Sequence, residues 1–418
     1  MERLGKLEEA LNNYKTALKI FLKISTHSKA NIAGCYGNIG SIFMKDGQYQ
    51  EALQCYKKSL DLKIAEFGEE NCSVANCFSN IGSVHFSMGS YTEALKFHEK
   101  AFQLREKLLE QDHPLMANSY TNMAWALFKK GDSEKALSLH KQALEIKLKN
   151  FGEEHLEVGN AYMQLGSVLS AQKKTAEAWN HLEKAFKIMT KWLGNSHASV
   201  ATCYTNMGSV KEQQGDRQKA LEYFEKALEI TVSSFGEEHP DVARLYNNIG
   251  KIELEMGNTQ KAMNLFKKAL WIYSQIFEEE ENIETAACYI NIASANIRLG
   301  KRGTSIEYYK EALKIKKNAL GKSHLEVAEL YASIGSVYLE EGMYENAVKK
   351  YWKAMKICTE SRESQCKSLK KNLEESLARI LSKDEKYKNL FQGLAPEEQI
   401  MQKIFNLEGD AIKNQEQI

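Results

Sequence analysis

Proline is scarce in this sequence. Only Pro114, Pro240 and Pro396 occur among the 418 residues, and because proline interrupts helix interiors, the scarcity suits a chain that is nearly all helix. No segment approaches the ~18 consecutive apolar residues that would suggest a membrane span. The start, MERLGKLEEALNNYK, is charged and amphipathic and does not have the pattern of a secretory signal. We therefore expect no membrane insertion and a cytoplasmic location, compatible with cytoskeletal or ciliary association.

A charge excess of one sign is also missing. The 56 basic and 55 acidic side chains leave a net charge of +1, whereas nucleic-acid-binding proteins usually carry a basic excess. The eight cysteines include no CxxC pair, which favours a reducing cytosol in a chain without a secretory signal. We therefore expect protein or peptide partners and no nucleic-acid partner.

The motifs of common enzyme classes are missing too. The sequence has no GxGxxG after a strand, no phosphate-binding loop and no HExxH. It also has no strand pattern that could carry a nucleophile elbow. Acidic pairs such as Glu237–Glu238 recur in equivalent segments, whereas a catalytic carboxylate would normally be unique. We expect no enzymatic activity, no catalytic residues, no metal and no cofactor.

What the sequence does contain is a repeat of 42 residues, with one step of 43. Its small residues form four series: Gly40, Gly82, Ala124, Gly166, Gly208, Gly250, Ala293 and Gly335; then Gly47, Gly89, Gly131, Gly215, Gly257, Gly300 and Gly342, with Lys173 as the exception; then Ala10, Ala52, Ala94, Ala136, Ala178, Ala220, Ala262, Ser305 and Ala347; and finally Ala17, Ser59, Ala101, Ala143, Ala185, Ala227, Ala269, Ala312 and Ala354. Small residues let neighbouring helices approach closely, and glycine supplies a turn at low steric cost.

Apolar residues recur at helical spacing between these series, as at Leu221, Phe224 and Leu228. Each unit is therefore predicted to be two antiparallel helices joined by a tight turn at the second-series glycine. A longer connection, such as SSFGEEHPDV, joins one unit to the next. Within it, Gly236 is predicted to end one helix and Pro240 to begin the next.

This pattern resembles the tetratricopeptide repeat. The small residue of NIG, the aromatic residue three positions on (Phe43, Tyr338), the turn glycine and the paired alanines stand at the spacing of that family. The period exceeds the usual ~34 residues and is similar to the long-linker subclass of kinesin light chains and nephrocystin-3-like proteins. The resemblance implies an all-α fold, a right-handed superhelical α-solenoid of antiparallel helix pairs. We expect an orphan second helix with its linker at 1–28, eight repeats at 29–360, and capping helices with a tail at 361–418.

Both ends depart from the repeat. The first helix of the opening unit is missing, which we interpret as a fragment of a longer chain; the alternatives are a truncated gene model and an end that docks a partner or a second copy. The segment from Ser364 to Lys383 is predicted to be a capping helix or an extension of the last unit, because apolar residues recur there at helical spacing. The stretch APEEQIMQKIFNLE predicts a second short helix, and GDAIKNQEQI a frayed tail.

Histidine and cysteine follow the repeat and do not form isolated clusters. One linker position holds His113, His155, His197, His239 and His324. A metal ladder would place neighbouring ligands a whole repeat apart, too far for one ion with bonds of ~2 Å, so we predict that these histidines cap helices. His98 and His140 replace an aromatic residue of other repeats and are predicted to pack in the interior. The shared position of Cys35, Cys77, Cys203 and Cys288 is predicted to be core.

The most regular candidate for function is a row of amides. Stacked helix pairs form a continuous concave face, and in the resembled family the first helix of each unit lines it. The residue two before the NIG glycine points into that groove and is here Asn38, Asn80, Asn122, Gln164, Asn206, Asn248, Asn291 and Ser333. Four residues earlier, further amides stand at Asn76, Asn118 and Asn160. An amide both donates and accepts hydrogen bonds, so the row is suited to holding a peptide main chain or, alternatively, to bridging neighbouring helices.

Trp125 and nearby charges distinguish parts of the row. Trp125 replaces the serine found at Ser41, Ser83, Ser167, Ser209, Ser294 and Ser336. It is predicted to anchor a ligand or, alternatively, to fill space beside Ala124. Lysines at Lys45, Lys129 and Lys130 precede a more acidic series at Glu212, Glu253, Glu255, Glu340 and Glu341. We therefore expect acidic ligand groups to prefer the N-terminal half.

The sequence thus predicts a protein-interaction scaffold or adaptor that binds extended peptide segments in a groove. The predicted binding residues are Asn38, Asn76, Asn80, Asn118, Asn122, Trp125, Lys129, Asn160, Gln164, Asn206, Asn248 and Asn291. A kinesin-light-chain-like cargo adaptor is one alternative, although no sustained heptads precede residue 30. A nephrocystin-like scaffold is another. A third alternative is a structural array that self-associates through the uncapped N-terminal repeat.

Overall fold

The computed structural model describes residues 2–23, 29–276, 282–360, 365–382 and 387. Within these residues the chain forms eighteen α-helices and no strand, which confirms the predicted all-α class. The helices are α1 (Glu2–Lys23), α2 (Lys29–Lys45), α3 (Tyr49–Phe67), α4 (Cys72–Ser87), α5 (Tyr91–Leu108), α6 (Pro114–Lys129), α7 (Ser133–Phe151), α8 (Leu156–Ala171), α9 (Thr175–Leu193), α10 (Ala198–Gln213), α11 (Arg217–Phe235), α12 (Pro240–Glu255), α13 (Thr259–Ile276), α14 (Ile283–Arg298), α15 (Arg302–Leu320), α16 (Leu325–Glu340), α17 (Tyr344–Glu360) and α18 (Gln365–Leu381). The second short helix and the tail expected after residue 394 lie outside the described residues.

The helices are arranged as pairs in two compact units, Met1–Tyr223 and Phe224–Ile418. The first unit contains the pairs α2–α3, α4–α5, α6–α7 and α8–α9, and the second contains α12–α13, α14–α15 and α16–α17. The second helix of a pair also packs on the first helix of the next, as α3 does on α4 and α13 on α14. We call the even-numbered helices α2 to α16 first helices and the odd-numbered helices α3 to α17 second helices. At the two ends, α1 packs on α2 and α18 packs on α17.

A residue with positive φ lies in the turn within each pair. Gly131, between α6 and α7, has a φ of 93°. Lys173 occupies the equivalent place between α8 and α9 with a φ of 61°. The Cβ of a residue other than glycine meets steric resistance in this region, so the turn is strained at the one repeat where lysine replaces the predicted glycine.

The linker histidines begin the first helices, as predicted. The Nδ1 atom of His113, His155, His197, His239 and His324 accepts a hydrogen bond from the backbone N–H two residues later, at 3.1–3.3 Å. Asn71 and Asn282 make the same bond through Oδ1, at 2.8 and 2.7 Å. These side chains therefore satisfy one of the N–H groups that a helix start leaves unpaired.

The small residues of the first helices lie directly against large side chains of the second helices. A Cβ added to Gly82 would meet the ring of His98 at 2.7 Å, and one added to Gly250 would meet Phe266 at 2.5 Å. His98 and His140 are buried, which confirms that they pack in the interior. The four equivalent cysteines, Cys35, Cys77, Cys203 and Cys288, are buried free thiols, as predicted.

Candidate functional site

The amides two positions before each small residue lie on the first helices, on the side away from their own second helices. The small residue of each first helix faces the second helix, as Gly82 faces His98, and a residue two positions earlier is turned by about 200° around the helix axis. In the first unit, Asn38, Asn76, Asn80 and Asn118 are exposed, whereas Asn122, Asn160, Gln164 and Asn206 are half-buried. In the second unit, Asn248 and Asn291 are half-buried.

Three of these amides bridge helices. The Nδ2 of Asn122 on α6 donates to the Oγ of Ser79 on α4 at 3.1 Å. In the second unit, the Nδ2 of Asn291 on α14 donates to the Oδ1 of Asn247 on α12 at 3.3 Å. The Oδ1 of Asn76 accepts from the Nη2 of Arg105 at 2.7 Å. At these positions the amide row helps to join neighbouring helices, which was the alternative to ligand binding.

Other amides of the first unit have side-chain groups without hydrogen-bond partners in the described chain. Within the described residues, the side chains of Asn38, Asn80, Asn118 and Asn160 make no hydrogen bond to another protein group. The Oε1 of Gln164 is buried and also has no partner in the described chain. The four asparagine side chains therefore keep hydrogen-bonding capacity that an added main chain could use, whereas the buried Oε1 of Gln164 is not accessible to one.

A cavity of about 400 Å³ opens between α4 and α6 beside Trp125. Its lining residues are Ser83, Phe86, Ser87, His98, Asn122, Trp125 and Lys129. The structure thus brings together three predicted residues, Asn122, Trp125 and Lys129. The prediction missed Ser83, Phe86 and Ser87. Helical spacing could have indicated them, because Phe86 and Ser87 follow Ser83 by three and four residues and therefore lie on the same helix face. The walls combine two aromatic side chains with hydroxyl groups, one amide and one ammonium group.

The cavity lies where the repeat replaces tyrosine with histidine. In other pairs a serine of the first helix shares a hydrogen bond with a tyrosine of the second helix, at 2.9 Å between Ser41 and Tyr56 and 3.1 Å between Ser336 and Tyr351. In the α4–α5 pair the corresponding residues are Ser83 and His98. The shorter histidine does not extend as far as a tyrosine, and among the described residues the hydroxyl of Ser83 bonds only to the carbonyl of Ser79 on its own helix. Space is therefore left above His98.

His98 is neutral in this environment. Burial, together with the nearby positive charge of Arg105, lowers the pKa of His98 to about 4. Its Nδ1 atom is buried and has no hydrogen-bond partner in the described chain. The base of the cavity is consequently uncharged, whereas the exposed ammonium group of Lys129 stands at its margin.

Trp125 is held by aromatic contacts from two sides. Its ring meets Phe128 edge-on at 5.8 Å and His140 edge-on at 5.2 Å, measured between ring centroids. The indole remains half-buried. A half-buried aromatic ring in a fixed orientation can contact a ligand with little loss of side-chain freedom.

The expected acidic character of the later first helices is wrong at Glu253. This carboxylate is buried, lies 2.5 Å from the Nζ of Lys261 and accepts from the Nδ2 of Asn258 at 2.7 Å. It therefore offers no free charge to a ligand. Glu340 and Glu341 are exposed but lie 3.1 and 3.6 Å from the Nε of Arg302, which offsets part of their charge.

The described residues contain no group of three or more His, Cys, Asp or Glu side chains that could hold a metal ion. No described helix is both long enough and apolar enough to cross a membrane.

A second cavity, of about 530 Å³, lies on the other side of α6 and includes Leu95, Met123 and Ser138. None of the predicted binding residues lines that second cavity.

A search of curated protein sequences found no match to this chain. Among solved structures, the chain is similar to aspartyl phosphate phosphatase F from Bacillus subtilis, with 13% identity, a TM-score of 0.53, and 84% of this chain and 93% of that chain covered. It is also similar to the apo form of RapI, with 21% identity, a TM-score of 0.52, and coverage of 68% and 97%. A structure of putative kinesin light chain repeats from Podospora anserina matches with 21% identity, a TM-score of 0.42, and coverage of 50% and 99%. At these identities the likeness concerns the fold alone.

The family comparison covers most of the chain. A tetratricopeptide repeat model matches residues 1–65, 73–149, 157–231, 205–275 and 281–360. These segments contain most of the residues of the repeated helix pairs and the turn residues within each pair. The chain belongs to the tetratricopeptide-repeat family.

Proposed function

We propose that this chain is a protein-interaction scaffold that binds an extended segment of a partner protein along its first helices, with the cavity beside Trp125 as the anchoring point. The observation that carries the proposal is the position of this cavity. It is lined by an aromatic residue that replaces the serine of most other repeats, and it lies between the two helices that carry Asn80 and Asn118, whose side chains make no hydrogen bond within the described residues. Proteins built of stacked helix pairs commonly bind partners on the face that their first helices form.

The amides suit a main chain better than they suit a particular side chain. Each carries a donor and an acceptor, which match the C=O and N–H groups of an extended peptide. Asn80 and Asn118 stand on neighbouring first helices, α4 and α6, and both are exposed. A segment that passes these residues would exchange hydrogen bonds with water for hydrogen bonds with the amides, while a side chain enters the cavity.

The charge at the cavity favours a segment with an acidic group. Lys129 is the one charged residue in the described lining, which contains no carboxylate. Lys45 is also exposed in the same unit, whereas Lys130 lines the cavity on the other side of α6. An apolar or aromatic side chain next to an acidic one would therefore meet Phe86 and Trp125 with its apolar part, and Lys129 with its charge.

A cargo-adaptor role like that of kinesin light chains is the narrower version of this proposal, and it rests on the long-linker resemblance. A nephrocystin-like scaffold is equally compatible with the same surface. The self-assembling array is a separate proposal, based on apolar side chains of α1, of which Ile20 and Leu22 are 50% and 59% exposed. Light scattering separates it from the others, since an array requires mass to rise with protein concentration.

The binding proposal can be tested with a peptide array that varies acidic and apolar content, followed by anisotropy titration of the strongest binder. Trp125→Ser installs the residue of the other repeats and should weaken binding about tenfold or more, because buried aromatic anchors commonly contribute this much. Trp271→Ser is the matched control, since Trp271 is 52% exposed on the second helix α13. The control should bind within about twofold of the original chain.

Two results would count against the proposal. Absence of any array peptide that binds would reject an extended-segment scaffold. If the peptide binds the original chain and the Trp125→Ser variant with equal affinity, the cavity is not the anchoring point. A second variant, Asn80→Ala with Asn118→Ala, then decides whether the amides of α4 and α6 take part at all.

A further inference from the structure

Lysine side chains surround one tyrosine in the second unit. The Nζ atoms of Lys317, Lys350 and Lys353 lie 4.9, 5.7 and 5.7 Å from the centre of the Tyr331 ring. Lys317 lies on α15, whereas Lys350 and Lys353 lie on α17, so two second helices contribute to the cluster. The three ammonium groups are therefore concentrated around one small region, on helices that do not carry the amide row.

Comparison with the other repeats shows that two of these lysines are additions. A lysine above the aromatic ring of the first helix is common, as with Lys58 above Tyr36 at 5.4 Å and Lys268 above Tyr246 at 5.5 Å, and Lys353 is its equivalent. Lys350 and Lys317, in contrast, stand at positions where most earlier repeats do not have a lysine. Earlier repeats have Phe97, Leu139, Tyr223 and Leu265 in place of Lys350, and Glu106, Leu148, Thr190 and Val232 in place of Lys317. The last pairs thus place lysines where these predecessors have none.

The added charges are not neutralised within the described chain. Neighbouring lysines on the same helices have acidic partners, since Lys316 lies 2.5 Å from Glu326 and Lys349 lies 2.8 Å from Glu345. Lys317, Lys350 and Lys353 make no ion pair with any described carboxylate. Burial lowers the pKa of Lys350, and the charges of Lys353, Lys310 and Lys317 lower it further, against an opposing effect of Tyr331. The cluster is therefore under like-charge repulsion that an anion would relieve.

We propose that Lys317, Lys350 and Lys353 bind a phosphate group on a phosphorylated side chain of a partner protein. A phosphate monoester is compact, carries nearly two negative charges at neutral pH and presents three acceptor oxygens. Three ammonium groups, each within 5.7 Å of the centre of one ring, match its charge and the number of its acceptors. A single carboxylate would offset less of the repulsion.

The surroundings of the cluster favour one phosphate on a polypeptide over an extended anionic surface. On α15, the exposed Glu307 and Glu311 lie within one to three turns of Lys317, and on α17 Glu345 precedes Lys350 by five residues. A membrane surface or a nucleic-acid backbone that reached the lysines would also bring negative charge towards these carboxylates. A phosphorylated segment of otherwise neutral composition avoids that cost.

The test compares two variants that remove the same charge. Lys317→Gln with Lys350→Gln removes one lysine of the cluster from each helix. Lys314→Gln with Lys356→Gln removes one exposed lysine from the same two helices and leaves the cluster intact. The probe is a degenerate peptide array with a fixed central phosphoserine or phosphothreonine, printed beside its unphosphorylated copy, and the best pair is titrated at constant ionic strength.

We expect the original chain to bind the phosphorylated peptide more tightly than its unphosphorylated copy. The cluster variant, Lys317→Gln with Lys350→Gln, should bind the phosphorylated peptide roughly tenfold more weakly than the original chain does, whereas the control variant, Lys314→Gln with Lys356→Gln, should stay within about threefold of the original chain. Inorganic phosphate should raise the melting temperature of the original chain and of the control, but not of the cluster variant. Equal binding of phosphorylated and unphosphorylated peptides would overturn the proposal. So would lysine-dependent binding to vesicles containing phosphatidylinositol phosphates without any phosphopeptide binding, because the surface would then recognise a membrane.

Discussion

The indole ring of Trp125 lies edge-on against the imidazole of His140, with 5.2 Å between the ring centroids. In repeats that retain serine and tyrosine at these positions, the two helices share a hydroxyl hydrogen bond instead, as Ser294 and Tyr309 do at 3.2 Å. The exchange of a polar contact for an aromatic one places an aromatic surface next to the cavity. The site beside Trp125 is therefore a local variation on a contact that the repeat makes elsewhere.

Filling the cavity from below should stabilise the fold. His98→Tyr would place a hydroxyl near Ser83, in the arrangement that Tyr56 and Ser41 adopt at 2.9 Å. We expect the free energy of unfolding to rise by about 1 kcal/mol, the usual net contribution of a hydrogen bond. Urea unfolding of His98→Tyr and His98→Phe isolates the hydroxyl, since both variants fill the space. No difference between them would show that the hydrogen bond with Ser83 does not form.

Two buried histidines should make the fold sensitive to acid. Burial lowers the pKa of His98 and His140 to about 4, with smaller contributions from Arg105 and Lys147. The unfolded chain binds protons at these residues below about pH 6.5, whereas the folded chain does so only near pH 4. Their contribution to stability is therefore complete above about pH 6.5 and is lost as the pH falls towards 4.

Chemical unfolding near pH 7 and near pH 4.5 checks this dependence. Replacement of His98 and His140 by phenylalanine should reduce the loss of stability between the two conditions by about 2–3 kcal/mol per ring. Phenylalanine is tolerated at this place in the repeat, as Phe266 is against Gly250. An unchanged loss in the double variant would mean that these histidines are not buried in neutral form.

The histidine that caps α8 can be tested against asparagine, which caps other first helices of this chain. His155→Ala removes the acceptor of the Glu157 N–H, which lies 3.2 Å from Nδ1, and should cost about 1 kcal/mol of stability. His155→Asn should cost much less, because Asn71 and Asn282 make the same bond in their own repeats. Thermal unfolding of both variants measures the difference. Equal losses would show that the ring stacking of His155 on Phe151, at 4.7 Å, matters more than the cap.

The turn at Lys173 should be improved by glycine. Lys173 has a φ of 61°, a conformation that costs a residue with a Cβ roughly 1–2 kcal/mol. Glycine would remove this cost, but it would also increase the conformational entropy of the unfolded chain, which offsets part of the stabilisation. Lys173→Gly should therefore raise stability by roughly 0.5–1 kcal/mol. Gly131→Ala, at the equivalent turn with a φ of 93°, should lower stability. A destabilised Lys173→Gly would indicate that the lysine side chain makes a contact worth more than the strain.

Much of the fold could be predicted because its causes are local. The spacing of small residues fixes where helices touch, and the turn glycines and linker histidines mark where helices end and begin. The bonds across the stack could not be predicted this way. The contact from Asn122 to Ser79 joins residues 43 positions apart, and its formation depends on the distance between two first helices. The error at Glu253 has the same origin, since its partner Lys261 lies across a turn on the next helix.

The cavity was only partly predictable. Trp125 stands out in the sequence because it interrupts the serine series, and the interior position of His98 follows from the aromatic residues at the same place in other repeats. The sequence did not indicate that the shorter imidazole leaves space beneath Ser83, because that depends on how far a side chain extends from α5. The binding roles of all twelve predicted residues stay predictions.

The most direct test of the central claim is to locate a bound partner segment on one side of α6. A photo-crosslinking amino acid placed at Ser87 reports on the cavity beside Trp125, and one placed at Ser138 reports on the cavity on the other side. Both serines are exposed. With the strongest array peptide bound, we predict a crosslinked product from the Ser87 position and only background from Ser138. Crosslinking at Ser138 alone, or equally at both, would contradict the claim that partners bind along the first helices.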